Sequence, residues 1–301
     1  MTYNIDEKKL KENAEWIRLC EERFSEQFFG IAEDICRNRG LRIVRLYGPS
    51  CAGKTTAARL LVDMFETLGK KAHIVSIDDF YLDRDELLKR SRAKGLKGLD
   101  YDSPDTIDCD ALHRFAEEIF ESREVYCPVF DFKTGCREGY KTLSVDGDDI
   151  FIFEGIQACY PVVKQMLSEH GSASIFIAPL KSVSAGGVDF APNRLRLMRR
   201  LVRDFHFRGS SPEFTFGLWK SVRDNERKNI FPYADESDYR VDTAMPYEVG
   251  ILKPFLFDVL GKVKEDSEYY EKSKQILDSV QNVEAIPSEL ILDGYLYSEF
   301  V

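Results

Sequence analysis

The chain has 301 residues, enough for one large domain or two small ones. Its 44% hydrophobic and 31% charged content is that of a globular protein, and a formal net charge of −10 excludes a general nucleic-acid binder. Seven cysteines are scattered without C-x-x-C spacing, which speaks against a zinc site and against a disulfide scaffold. A reducing cytoplasm is the expected compartment. Neither an arginine-led apolar leader nor an apolar run of about 18 residues is visible, so no signal peptide and no membrane span are expected.

Within residues 1–40, Leu10, Ala14, Ile17, Cys20, Phe24, Phe28, Ile31 and Ile35 recur by threes and fours. That stripe predicts a helix, broken or bent near Gly30 and ended at Gly40. It would pack on the core or serve as a contact for a second chain. Residues 41–47 alternate and are β-branched, the pattern of a strand. Gly48-Pro49-Ser50-Cys51-Ala52-Gly53-Lys54-Thr55 follows, a fit to the phosphate-binding G-x-x-x-x-G-K-[ST] pattern. A helix over 55–68 with a terminal Gly69 supplies the context that this pattern needs.

In such a loop the glycines permit a tight turn that presents backbone N–H groups to phosphate oxygens. The helix N-terminus adds partial positive charge. Lys54 would reach the β- and γ-phosphates, and the Thr55 hydroxyl would take a Mg²⁺ position. A second strand, 72–77, ends in Asp78-Asp79. Ligands bind at the carboxyl ends of strands in open α/β sheets, so this pair suits base or metal work; a helix cap or loop acid is the alternative.

Residues 83–100 are polar and mixed in sign, with Gly95 and Gly98, and predict a short helix and a loop over an acceptor site. Asp105 or Thr106 could cap the next helix, whose stripe includes Leu112, Phe115, Ile119 and Phe120. Residues 125–140 predict a β-hairpin. The apolar run 150–153 predicts a strand buried on both faces and ends in Glu154, where a Walker-B-type strand carries its Mg²⁺-holding acid. Another buried strand covers 174–178, and 182–189 reads as a small-residue loop.

Residues 193–208 hold Arg194, Arg196, Arg199, Arg200, Arg203 and Arg208. In an acidic chain that concentration suggests phosphate, through the planar fork of guanidinium donors, on a lid that closes over ATP. A basic helix face paired with acids is the alternative. Ser211 as N-cap and Pro212 at the first helical position start a helix to about residue 229. A last core strand over 239–243, a closing helix over 246–260 and a helical stretch over 269–280 complete the expectation.

Strands alternating with helices behind a P-loop predict a doubly wound α/β fold. Five core strands are expected: 42–47, 72–77, 150–154, 174–178 and 239–243. The organisation is a helical extension (1–40), a kinase-like core (41–263) and a tail (264–301). Within the core, a small β-hairpin acceptor lobe would span about 80–140 and an arginine-rich helical lid about 193–229.

Several motifs together resemble the uridine–cytidine kinases and their phosphoribulokinase-like relatives. Gly48 to Thr56 resembles that family's P-loop, Ser76-Ile77-Asp78-Asp79-Phe80-Tyr81 its S-x-D-x-F-Y segment, and Tyr101-Asp102-Ser103-Pro104-Asp105 its F-D-H-P-D. Val129-Phe130-Asp131-Phe132 is similar to its Y-D-F segment, Phe153-Glu154-Gly155-Ile156 to its F-E-G-I, and 199–204 to its R-R-x-x-R-D lid. The match covers about residues 41–245 in the family's order, and the whole layout is most similar to a longer bacterial uridine kinase-like branch. The resemblance implies an ATP- and Mg²⁺-dependent kinase for a small-molecule hydroxyl, above all the 5′-hydroxyl of a nucleoside. It implies that Gly48, Ser50, Cys51, Ala52, Gly53, Lys54, Thr55 and Thr56, with Arg208, hold the nucleotide. Asp78 would be the base, and Thr55, Asp78 and Glu154 the Mg²⁺ set. Arg200 and Arg203 would act with Lys54 in transfer. Asp78, Tyr81, Asp102, Phe130 and Arg203 would line the acceptor. Homo-oligomers are common in that family. Two positions depart from it: Phe130 and Gly135 stand where the nucleoside kinases use a Tyr and a His to read the pyrimidine. A sugar phosphate or pantothenate as acceptor, or a non-catalytic nucleotide switch, are the competing readings; no guanine-reading N-K-x-D is present.

Overall fold

The computed structural model describes residues 7–38, 40–93, 95 and 104–300. Helix α1 (Glu7–Arg37) is followed by β1 (Ile43–Tyr47), α2 (Lys54–Thr67), β2 (Ala72–Ser76), α3 (Arg84–Ala93) and α4 (Cys109–Glu121). The hairpin β3 (Glu124–Asp131) and β4 (Cys136–Ser144) comes next, then β5 (Ile150–Glu154), α5 (Pro161–Ser168) and β6 (Ser172–Ala178). A short antiparallel pair, β7 (Val183–Ala185) and β8 (Val188–Phe190), precedes α6 (Pro192–Arg208), α7 (Pro212–Asn229), β9 (Tyr239–Asp242), α8 (Glu248–Leu260) and α9 (Tyr270–Val280).

Five strands form one parallel sheet in the order β2-β5-β1-β6-β9. The fold is therefore the expected doubly wound α/β type. Strands β1 and β5 lie inside the sheet and are buried along their length because helices cover both faces; β5 is a continuous apolar run up to Glu154, whereas β1 buries Arg45 in its middle, where it donates to the Ser172 hydroxyl and the Ala158 carbonyl. One apolar core joins Phe28 of α1, Leu61 and Phe65 of α2, Leu201 of α6 and Leu252 of α8. The other joins Phe80, Phe115 of α4, Phe153 and Val163 of α5. The order places three adjacent strand ends, those of β1, β5 and β2, along one edge of the sheet. The P-loop, Glu154 and Asp78 sit at those ends.

Local signals fix several boundaries. Ser211 Oγ accepts from the Phe214 amide and Pro212 starts α7. Gly69 closes α2 with φ 74°. Three expectations are corrected. Helix α1 runs through Gly30 without a break, because Gly30 is exposed and open while Phe24, Phe28, Ile31 and Ile35 anchor the helix on either side. Burying those side chains outweighs a glycine penalty of about 1 kcal/mol. Asp108, not Asp105 or Thr106, caps α4, its carboxylate accepting from the Ala111 amide 3.0 Å away; Asp105 and Thr106 lie in a preceding 3-10 turn. The 182–189 loop contains most of the β7–β8 ribbon, whose strands of three residues each are too short for their alternation to stand out. The end of the chain is ordered in two 3-10 turns, Ser288–Leu290 and Leu296–Glu299. Among the described residues all seven cysteines are free, and no helix is long and apolar enough to cross a membrane.

Candidate active site

The loop between β1 and α2 is curled by two left-handed residues, Cys51 (φ 57°) and Gly53 (φ 89°). Such alternation turns successive N–H groups inward, forming an anion-binding concavity at a helix N-terminus. Gly48 has no room for a side chain: a Cβ there would collide with the Ile177 carbonyl oxygen on neighbouring β6. The Lys54 ammonium spans the loop, donating to the Gly48 and Pro49 carbonyls at 3.2 Å each. From behind, the loop is fastened to α6 and α7. Glu226 accepts from the Ser50 amide at 3.2 Å, and Arg196 and Arg199 donate to the Ser50 and Cys51 carbonyls at 3.0 and 3.3 Å.

Two carboxylates face this loop. Asp78 stands in the 3-10 turn Ile77–Phe80 that follows β2, and Glu154 ends β5 within 3.5 Å of the Ser76 hydroxyl. Burial pushes Glu154 up to about 7, against the pull of Lys54 and with a further push from Asp78. Burial also raises Asp78, while Gln157 and Lys54 oppose the rise. A hard dication favours such a pair of carboxylates, to which the exposed Thr55 hydroxyl at the start of α2 could add a third oxygen, and its charge would replace the protons that burial leaves there. Among the described residues no cluster of three or more His, Cys, Asp or Glu side chains forms a closed metal site. The set therefore fits Mg²⁺ held partly by substrate phosphate rather than in an all-protein cage.

Asp79, the other half of the sequence pair, has a different task. It accepts from the Phe130 amide at 3.2 Å and faces Lys141 at 3.6 Å, tying the hairpin to the end of β2. Gln157, just beyond β5, is buried; its amide donates to Asp78 Oδ1 and to the Tyr81 hydroxyl, both at 2.8 Å. Its Oε1 has no hydrogen-bond partner among the described residues. Tyr81 is buried as well and touches Phe130 and Phe132, with ring centroids 5.7 and 5.5 Å away. Phe130 is 7% exposed, whereas Phe132 is 55% exposed. Gly135 is in the hairpin turn against Arg84 and presents no group to an acceptor. Asp102 lies outside the described residues.

Five of the six arginines of α6 divide into two sets, and the sixth, Arg194, points away from the P-loop partners and donates to the Gln275 carbonyl at 3.2 Å. Arg196 and Arg199 are buried: Arg196 pairs with Glu226 at 2.8 Å, and Arg199 with Glu248 at 2.8 Å. Arg200 and Arg203 both bond Asp204, at 3.1 and 2.7 Å, and Arg208 lies 3.9 Å from it. Arg200 also donates to the Ser50 hydroxyl at 3.0 Å, and the Arg208 charge reaches Asp78. Asp204 thus gathers three guanidinium groups beside the P-loop. Reasoning from sequence missed Gln157, whose only signal was a glutamine one turn past a strand-end acid, and it included Asp204 in the lid motif without giving it a role.

The sequence profile of the Phosphoribulokinase / Uridine kinase family matches residues 43–248. The uridine kinase of Ureaplasma urealyticum is 27% identical over 180 residues, 60% of this chain and 77% of that protein. Inorganic pyrophosphatase TTM2 of Arabidopsis thaliana is 29% identical over 177 residues, 59% of this chain but only 22% of that protein's length. A solved chain from Silicibacter sp. TM1040, named as a candidate fructose transport system kinase, superposes with a TM-score of 0.53 at 18% identity. It covers 71% of this chain and 98% of its own, a likeness of fold.

Proposed function

The chain belongs to the phosphoribulokinase / uridine kinase family, and from that we propose that it transfers the γ-phosphoryl group of ATP to the 5′-hydroxyl of a nucleoside. The supporting observation is the convergence of Lys54, Asp78 and Glu154 at three adjacent strand ends, with three arginines gathered beside them by Asp204. The P-loop amides, Lys54 and Thr56 bind and orient the phosphates. Thr55, Asp78 and Glu154 would hold Mg²⁺, which supplies charge neutralisation on the phosphate chain. Asp78 accepts the hydroxyl proton at its free oxygen. Arg200, Arg203 and Arg208 spread the charge that develops on the transferred group and help exclude water.

The acceptor side supports a stacked ring more than a hydrogen-bonded one. Phe130 is packed away and Gly135 has no side chain, while Phe132 offers an exposed aromatic face next to Tyr81. A site without hydrogen bonds to the base discriminates weakly among bases. Several nucleosides should therefore serve at similar kcat/KM. The test is ATP consumption with Mg²⁺ against uridine, cytidine, purine nucleosides, pentose phosphates and pantothenate, with product mass read directly. Asp78→Asn should lower acceptor-dependent turnover on the order of 10²–10⁴-fold, the usual contribution of a positioned base. Acceptor-independent hydrolysis, or nucleotide binding without turnover, would overturn the reading in favour of a phosphohydrolase or a switch.

A further inference from the structure

The phosphate-binding loop is held from two sides, and the holds alternate from one peptide to the next. A trans peptide is planar, so its C=O and N–H point in opposite directions. The Pro49 carbonyl accepts from Lys54 Nζ at 3.2 Å on the inner side of the loop. The Ser50 N–H of the same peptide points the other way and donates to Glu226 at 3.2 Å. In the next peptide the order is reversed. The Ser50 carbonyl accepts from Arg196 at 3.0 Å on the outer side, which leaves the Cys51 N–H facing inward. The Cys51 carbonyl accepts from Arg199 at 3.3 Å, which leaves the Ala52 N–H facing inward as well.

Between these two held peptides stands Cys51. Its φ of 57° makes it the one non-glycine residue with a positive φ among the described residues. A side chain disfavours that conformation, and it persists where the surroundings over-determine it. Arg196 and Arg199 supply that constraint, and each is itself anchored. Arg196 bonds Glu226 at 2.8 Å, and the same carboxylate takes Arg223 at 2.6 Å. Arg199 bonds Glu248 at 2.8 Å and the Thr243 carbonyl at 2.7 Å. Both guanidinium groups are buried, so neither meets a phosphate directly.

We propose that Arg196 and Arg199 are positioning residues for phosphate binding, acting through the Ser50 and Cys51 carbonyls to hold the left-handed turn at Cys51 and keep the Cys51 and Ala52 amides aimed at the anion. The proposal rests on the phosphotransferase reading of the P-loop. It gives α6 two separate tasks: Arg200, Arg203 and Arg208 face the phosphate side, while Arg196 and Arg199 set the cradle before any ligand arrives. A cradle already in place binds without the cost of ordering its donors.

Two measurements on the full chain test it. The first uses the unsubstituted protein, isotope-labelled at the backbone nitrogens of serine, cysteine and alanine, and follows the loop amides by NMR as magnesium pyrophosphate is added. The Cys51 and Ala52 amides should shift as they take up phosphate oxygens, and the Ser50 amide, already bonded to Glu226, should move least. A Ser50 shift as large as theirs would overturn the proposal. The second is affinity. Arg196→Met should weaken MgATP and magnesium pyrophosphate by the same factor, about tenfold, the worth of a charge-assisted hydrogen bond. Arg196→Lys, which keeps one donor for the Ser50 carbonyl, should recover part of the loss. Unchanged pyrophosphate affinity in a folded Arg196→Met protein, or a loss for MgATP alone, would overturn the proposal. Where Arg196→Met fails to fold, the titration of the unsubstituted protein decides. Lys54→Ala separates the two levels. Pyrophosphate binding that is lost in Lys54→Ala but unchanged in Arg196→Met leaves the kinase reading standing and removes the positioning role. No Lys54-dependent binding of pyrophosphate or MgATP removes both.

Discussion

Asp78 depends on its neighbour Gln157 for its ionisation as well as for its orientation. Burial favours the protonated acid, and the two groups that oppose it most are the Gln157 amide at 2.8 Å and the Lys54 charge. The same amide also fixes Tyr81, so one buried side chain aligns the carboxylate proposed as the base and the aromatic side chains against the hairpin. Removing it, as in Gln157→Leu, should raise the Asp78 pKa further. The base form is then reached at higher pH, and the acid limb of the kcat/KM profile should move to higher pH. At its plateau kcat should fall about 10–100-fold, part of the worth of a positioned base, with the KM for ATP little changed. A profile that keeps its acid limb would reduce Gln157 to a packing residue. Neither the bond nor its importance is legible in the sequence. Asp78 and Glu154 stand out because they end strands; Gln157 does not, since nothing local says which way a residue in the next turn will point.

On the scale of elements, α6 shows what local patterning conveys and what it omits. Its helicity, the proline at its first position and Gly209 at its end (φ 63°) are all local, and so they were readable. The sequence reading used the helicity but neither of the two boundary residues, and it could not see the division of the arginines. Glu226 and Glu248, the partners of Arg196 and Arg199, lie 30 and 49 residues away on other helices, so only the packed structure tells a structural arginine from a phosphate-facing one. The Arg199–Glu248 pair is fully buried, and burial raises Glu248 to about 7 even against the pull of Arg199. Deleting one partner leaves the other charge, and the Thr243 and Cys51 carbonyls, unmatched. Arg199→Met should therefore destabilise the fold by about 3–5 kcal/mol. The double variant Arg199→Met with Glu248→Met should recover part of that loss, because two apolar side chains no longer demand solvation. Urea midpoints of the two single variants and the double variant measure this directly. Additive losses would mean that the two side chains act independently.

For the molecule as a whole, the parallel sheet was legible because each of its strands carries its own apolar signature and each crossover its own helix signals. The closure of the chain upon itself was not. Glu21 of α1 meets the Tyr247 hydroxyl and the Leu296 amide, bringing the two ends of the chain together at the start of α8, contacts more than two hundred residues apart. Residues 1–40 and 264–301 looked from sequence like additions to a kinase core. Yet Ile17, Phe24, Phe28, Ile276, Leu296 and Phe300 share one apolar cluster with α2, α6 and α8. A shared core implies one cooperative unit. The two tryptophans report on it separately. Trp16 of α1 is 41% exposed beside Tyr247, and Trp219 of α7 is 9% exposed beneath Arg196. In Trp16→Phe and Trp219→Phe, each keeping one probe, urea unfolding should give coincident midpoints. Adding Phe28→Ala to either should lower its midpoint by the same amount, a loss of about 3–5 kcal/mol for a buried phenylalanine. If the Trp16 signal were lost first, and Phe28→Ala moved it alone, α1 would be an appendage resting on an independently stable core. Coincidence would instead make both ends of the chain part of the frame that holds the P-loop.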